Sequence, residues 1–377
     1  MQCKFLKHGL AISYDHVVKP CCEWQQDSNY PIQNHISQVD LTTWHQKNKV
    51  FEQQLASNEW PVACGQCQHR EQQNRQDSIR LNGEQAYAHY NHNDITLEIR
   101  PGNVCNFSCQ TCWPEASSRV SQHHAQAGLI EIKSVNSKQI DNFDFLLPIA
   151  SRIKDVVLLG GEPFYDPNCK RFLSWAQQNL HSHSHITMFT NGSAVDWNWV
   201  NQYPGRITMV FSIDAVGNAA EYVRFGTDWS QVLNNFQQAQ AHAKIDLRVN
   251  ITTSVYNYYY LDQVIDLLLP QWPSVVMFGS PRSEHFLESC IPLQYRQDII
   301  TRLQSACVRI MKSAIPTDQR TNAIHALKSI ITNLKVSAWS QEQHTVLKTY
   351  VQKMDQVKHV TVRDHCEFLA HVLDFSE

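Results

Sequence analysis

The chain has 377 residues, enough for two or three compact units, and 42% of them are hydrophobic, which excludes a disordered chain. The balance of 32 basic to 35 acidic residues leaves a net charge of -3, and no dense Lys/Arg run occurs, which argues against nucleic acid as the main partner. No stretch has the apolar length of a membrane span, and the N-terminus MQCKFLKHGLAISYDH has no long apolar core or small-residue cleavage site, so no membrane contact and a cytoplasmic location are expected.

In chain order, residues 1–93 hold five cysteines, turn signals such as NGE at 82–84, and a helical stretch near 41–56. They read as a small cysteine-rich, metal-held module. Residues 94–285 alternate strand and helix signals. β-rich runs recur at 95–100, 154–160, 185–190, 206–213, 244–254 and 274–279, and segments such as 169–180 and 229–243 between them can be helical. Six strands separated by helices predict βα units with a parallel sheet, a partial (β/α)6 barrel of the TIM type. In such folds chemistry collects on loops at the carboxyl ends of strands. Residues 286–377 show apolar positions at helical spacing (Ile299, Ile300, Leu303, Ile310; Ile324, Leu327, Ile331, Leu334; Val346, Leu347, Tyr350, Val351, Met354) and predict helices packed on the barrel.

There are 12 cysteines in all. In a reducing compartment clustered thiols are more often metal ligands than disulfides. Cys169, Cys290, Cys307 and Cys366 are scattered and read as small buried hydrophobes. Cys105, Cys109 and Cys112 instead form C-x3-C-x2-C directly after the first strand of the alternating region. Three thiolates could hold zinc, an iron–sulfur cluster, or nothing. With no obvious fourth ligand beside Cys112, a cubane held there would keep one iron open to a chelating ligand.

The following loops carry the argument further. LLGGEPF (158–164) ends the second strand; two glycines allow close backbone approach, and the Glu162 carboxylate can accept from an ammonium group. FTNGS (189–193) ends the third strand and FSIDAVG (211–217) the fourth, while EYVRFG (221–226) supplies Arg224, a fork donor suited to a carboxylate. Each also has a plainer reading: NG is a common turn, Asp214 could cap a helix, and Arg224 could form a surface ion pair.

With Cys105, Cys109 and Cys112, then Gly160-Gly161-Glu162-Pro163, then TNG and SID, all at strand ends, the sequence resembles the radical S-adenosylmethionine superfamily over roughly residues 94–282. The pattern CN…C…C.P..SS at 105–118 and C..C...E at 64–71 resembles its twitch-domain members, relatives of the SPASM group. One departure is Thr111, where the family usually carries an aromatic residue.

The resemblance implies a core 4Fe–4S cluster on Cys105, Cys109 and Cys112 whose open iron chelates S-adenosylmethionine. It implies cofactor contacts from Gly160, Gly161, Glu162, Asn191, Ser212, Asp214 and Arg224. Reductive cleavage would give a 5′-deoxyadenosyl radical that abstracts hydrogen from a C–H bond. A low-potential donor such as flavodoxin or ferredoxin would supply the electron. The elements MQCKFLK, VVKPCC and CGQCQHRE also match, which implies an auxiliary 4Fe–4S cluster on Cys3, Cys21, Cys64 and Cys67, with Cys22 or His69 as substitutes and structural zinc as the alternative. In the family this module usually follows the core; here it precedes it. The expected substrate is a peptide or protein side chain, with a small molecule (sugar, nucleoside or amino-acid derivative) as the alternative. A non-catalytic, zinc-held binding protein is the rival of a different class.

Overall fold

Ile95, Leu97 and Ile99 are fully buried while Thr96 and Glu98 between them are half-buried. This is the period-two alternation of a strand with one face on the core. The structure is a computed structural model that describes residues 1–25, 34–73, 78–131, 139–281 and 283–375. Among the described residues the strands are β1 (Gly9–Ile12), β2 (Val17–Lys19), β3 (Asn34–His35), β4 (Ile95–Ile99), β5 (Ser108–Cys109), β6 (Ile153–Leu158), β7 (His185–Thr190), β8 (Arg206–Ser212), β9 (Arg224–Phe225), β10 (Ile245–Thr252) and β11 (Val275–Gly279). The architecture is mixed α/β, with a largely parallel sheet and a helical C-terminal region.

The chain divides into two compact units. The first comprises Met1–Asn103, Ser137–Met188 and Trp197–Ile207; the second comprises Val104–Asn136, Phe189–Asp196 and Thr208–Glu377. In the first, β1–β4, β4–β6 and β6–β7 are parallel pairs, with Leu10 opposite Leu97, Leu97 opposite Val156 and Val156 opposite Ile186. Strands β2 and β3 continue this sheet antiparallel beyond β1. β1 is a strand the sequence reading did not single out. Its four residues GLAI are all buried, so they show no alternation from which to infer a strand.

The helix Pro167–Asn179 follows β6; Asp166 caps it by accepting from the N–H groups of Asn168 (2.8 Å) and Cys169 (3.4 Å). NGE at 82–84 is not a turn but lies inside the helix Ile79–Ala86. A Cβ on Gly83 would stand 2.8 Å from Phe5 Cε2, so glycine here serves close packing of an aromatic ring. The stretch near 41–56 forms two helices, Trp44–Lys47 and Lys49–Ala56, joined at buried Asn48, whose amide donates to Leu6 O at 3.0 Å.

In the second unit β10 and β11 run parallel, with Val249 opposite Val276, and Ile213 N donates to Asn250 O at 3.0 Å just past β8. A separate antiparallel pair joins β5 to β9. The C-terminal helices are Leu293–Lys312, Thr317–Val336, Gln341–Lys358, Val362–His365 and Glu367–Val372. Cys169, Cys290, Cys307 and Cys366 are all buried. Among the described residues no helix is long and apolar enough to cross a membrane.

Candidate metal centres

The C-x3-C-x2-C loop lies in the second unit and is ordered residue by residue. β5 places Cys109 opposite Arg224 and Ser108 opposite Phe225. The backbone then turns back on itself, with Cys112 N donating to Cys109 O at 3.4 Å, and Phe107 N–H facing Cys105 Sγ at 3.4 Å. Ser117 caps the helix Ser118–Gln126 and its hydroxyl donates to Phe107 O at 3.1 Å, which ties the loop to the element after it. Asn191, just past β7, points its amide at Cys105 Sγ (3.9 Å) and at Asn106 Oδ1 (2.9 Å), while Asn106 donates to Ser193 Oγ at 2.9 Å.

The three thiols are close enough to interact. Burial pushes the Cys112 thiol far up, and the neighbouring Cys109 and Cys105 push it the same way; burial also raises Cys109. Bare thiolates are therefore costly at this position, and metal ligation would relieve them. Two cations face the loop. Burial alone would lower Arg224, but Cys109 and Asp214 more than offset it, so it stays charged. Its Nη1 donates to Asp214 Oδ2 at 2.7 Å, while its Nε is buried with no hydrogen-bond partner.

Asp214 is equally committed. Oδ1 accepts from Thr252 N at 2.7 Å, and its carbonyl accepts from Asn257 Nδ2 at 2.8 Å. It does not cap the helix Gly217–Val223, whose N-cap is Val216, and the Arg224 pair is buried rather than superficial. Ser212 is the last residue of β8 and is half-buried.

The second cation was not anticipated. Lys358, the last residue of the helix Gln341–Lys358, is buried, and its Nζ donates to Ser108 O (2.8 Å) and Gln110 Oε1 (3.1 Å). Burial pushes its ammonium down to about 7, opposed by the Cys109 thiolate. The sequence held a signal: Tyr350, Met354 and Lys358 share one helix face at i, i+4 spacing, so Lys358 continues an apolar stripe.

In the first unit, Gly160 adopts φ +141, and a Cβ there would stand 2.6 Å from Gly102 O. The loop after β6 thus needs glycine at 160 for both backbone conformation and close approach. Gly161 follows it, and Glu162 is buried, its carbonyl accepting from Tyr165 N (3.0 Å) and Asp166 N (2.8 Å).

The first unit also gathers four of the remaining cysteines. Cys3 precedes the helix Lys4–His8, Cys21 follows β2, and Cys64 and Cys67 flank the start of the helix Gly65–Gln72. All four line one cavity, together with Leu6, Trp24, Leu55, Trp60, Ala63 and Arg80. Leu6, Trp24, Phe51, Leu55 and Ala63 form an apolar cluster against which Cys3, Cys21 and Cys64 pack. Burial raises each thiol, and neighbouring thiols add to it: Cys22, Cys3 and Cys64 on Cys21, and Cys3 and Cys67 on Cys64.

Cys22 turns toward Glu98, its thiol pushed up to about 12 by desolvation and then by that carboxylate; it does not line the cavity. His69 is exposed and bonds Gln73 Nε2 at 3.0 Å. Arg80 is buried on the cavity wall, its Nε donating to Glu71 Oε1 at 2.9 Å and its Nη1 to Gln2 O at 2.8 Å. Sequence reasoning picked out Glu71 only as part of C..C...E; its partner Arg80 lies nine residues on and carried no motif.

Among the described residues no three His, Cys, Asp or Glu side chains converge as ligands of a single metal ion. The donor chemistry nevertheless fits two thiolate-held groups: three thiols with cations beside them in one unit, and four thiols around one apolar cavity in the other.

No protein-family model and no curated protein matches the chain. Its structure is similar to solved structures of SuiB from Streptococcus suis. One, bound to S-adenosylmethionine, shares 14% identity at a TM-score of 0.35 over 57% of this chain and 45% of that one. A second, bound to the precursor peptide SuiA, shares 15% at 0.35 over 56% and 47%. A third structure of SuiB shares 13% at 0.36 over 74% and 60%. The chain thus spans between 45% and 60% of the length of these three solved chains.

Proposed function

We propose that the chain is a radical S-adenosylmethionine enzyme with a core and an auxiliary 4Fe–4S cluster, acting on a C–H bond of a peptide or protein side chain. The observation that carries the reading is the sorting of seven cysteines into a set of three and a set of four. Three thiolates leave one iron of a cubane open for a chelating ligand, and four saturate it. The proposed organisation has an auxiliary module at 1–93, a core at 94–285 that forms a partial (β/α)6 barrel, and a C-terminal region at 286–377.

The residues have distinct proposed roles. Cys105, Cys109 and Cys112 would hold the core cluster, and Cys3, Cys21, Cys64 and Cys67 the auxiliary one. Once reduced by a flavodoxin- or ferredoxin-like donor, the core cluster would supply the electron that cleaves S-adenosylmethionine to methionine and a 5′-deoxyadenosyl radical. Gly160 and Gly161 offer backbone groups to the methionine ammonium, and Glu162 a carboxylate. Asn191 orients Cys105. Asp214 holds Arg224, whose unpartnered Nε can receive a carboxylate. Ser212 is assigned to the ribose.

Anaerobic reconstitution with iron and sulfide tests this directly. A brown protein that forms 5′-deoxyadenosine from S-adenosylmethionine under a strong reductant is expected. A colourless, zinc-loaded protein that forms none supports a zinc-held binding protein instead.

A further inference from the structure

The cysteine loop of the second unit is held from a distant part of the chain. Gln110, between Cys109 and Cys112, is fully buried, and all its polar groups have partners. Its N–H donates to Val223 O (2.8 Å), its amide nitrogen to Tyr222 O (3.3 Å). Its carbonyl accepts from Tyr350 Oη (3.3 Å) and its side-chain oxygen from Lys358 Nζ (3.1 Å). The first two anchors come from the segment before β9; the last two come from one face of the helix Gln341–Lys358. Lys358 also donates to Ser108 O at 2.8 Å and lies over the Phe225 ring at 5.3 Å. It therefore bonds the residue on each side of Cys109.

We infer that Lys358 is a positioning residue for the Cys105–Cys112 loop, fixing the residues on both sides of Cys109 and setting the electron affinity of whatever cluster the loop holds. The cluster part rests on the proposed function. Either protonation state of the amine donates these two hydrogen bonds, so the positioning role does not depend on its titration. A buried amine carbon stem without its nitrogen would leave Ser108 O and Gln110 Oε1 without these bonds in a water-poor site, a cost the loop would relieve by moving. Outer-shell hydrogen bonds that order the ligand loop of a cluster favour its reduced form, so losing them lowers the midpoint potential.

Two measurements on the full chain decide this. Hydrogen exchange on the metal-free protein compares wild type with Lys358→Met and with Lys358→Gln, whose shorter side chain falls short of Ser108 O. Amides of residues 105–112 are expected to exchange about tenfold faster in both variants, the loss of roughly one to two hydrogen bonds. Unchanged exchange there overturns the inference. If the Met variant melts below the working temperature, the Gln variant is read the same way.

On the iron-loaded protein, an EPR-monitored redox titration is expected to show a lower midpoint. The reduced-to-oxidised ratio at the wild-type midpoint falls about tenfold, equivalent to about 59 mV for a one-electron couple. A looser loop with an unmoved midpoint reduces Lys358 to a packing residue and also overturns the inference. A wild type that takes up no iron at this loop sinks the proposed function, and the exchange measurement then decides the positioning role alone.

Discussion

Arg224 Nη1 lies 2.7 Å from Asp214 Oδ2, and the two side chains are 14% and 1% exposed. Asp214's second oxygen is already taken by Thr252 N, so its carboxylate is a fixed anchor rather than a free ligand. The pair holds a guanidinium opposite Cys109 on the β5–β9 ribbon. Asp214→Ala leaves that charge buried and unpaired, which should destabilise the protein by about 3–5 kcal/mol in urea denaturation. Arg224→Lys keeps a charge but loses the fork. It should weaken S-adenosylmethionine binding at least tenfold, about the 1.5–3 kcal/mol of a charge-assisted hydrogen bond, while costing less stability than Asp214→Ala. Calorimetric titration beside the urea curves separates the two effects; equal affinity in wild type and the Lys variant would move the carboxylate site elsewhere.

Gly160 permits a sharper steric test. With φ at +141 and Gly102 O only 2.6 Å from a built Cβ, alanine there must displace backbone rather than a flexible side chain. Gly160→Ala should cost about 1–3 kcal/mol. Because the change sits in the loop assigned to the methionine ammonium, cofactor affinity should fall further than for a surface mutation of equal stability cost. A melting temperature within a degree of wild type would contradict the strained geometry.

Acid sensitivity follows from His45. Burial, then the charges of Arg152 and His8, push its imidazole down to about 4, and its Nε2 is buried without a partner. The unfolded chain binds that proton near 6.5, the folded chain only near 4. Above pH 6.5 the residue contributes nothing to the pH dependence; from about 6.5 down to about 4 the unfolded state gains protons first and stability falls, on the order of 1–3 kcal/mol for this half-buried group. His45→Gln should flatten that limb in denaturation curves taken at pH 7.5 and 5. A limb equally steep in the variant would assign the acid loss to other groups.

What the sequence revealed depended on whether a feature is local. The six strands of the alternating region lie within two residues of their expected ends, because β-branched and aromatic runs bounded by turns are a property of neighbours in the chain. The cysteine spacings 105/109/112 and 64/67 are local for the same reason. Cys3 and Cys21 could be grouped with Cys64 and Cys67 only through a family resemblance, since nothing in spacing joins residues 61 apart. Arg80 escaped because an arginine inside a helix is ordinary on a surface, and Lys358 carried only its place at the end of an apolar stripe; tertiary packing buries both. NGE misled because the close approach of Phe5 to Gly83 is likewise invisible along the chain.

The four-cysteine cavity gives the most discriminating experiment. Cys3, Cys21, Cys64 and Cys67 face one another against Leu6, Trp24 and Leu55, while adjacent Cys22 turns to Glu98. If each cysteine set holds a cubane, reconstituted wild type should contain roughly eight irons, four per cluster. The triple change of Cys105, Cys109 and Cys112 to Ala should leave about half and abolish 5′-deoxyadenosine formation. Changing Cys64 and Cys67 to Ala should remove the other half and lower the melting temperature, because Cys64 packs on the small apolar cluster that a metal would brace. Uncoupled cleavage of S-adenosylmethionine should survive that pair of changes, since it needs only the core set. Cys21→Ser should behave like the double variant in iron content, and Cys22→Ser like wild type. Four irons with zinc in the second site would remove the auxiliary cluster and leave the core chemistry standing; iron lost equally in the Cys21 and Cys22 variants would show that the cavity geometry does not select between them.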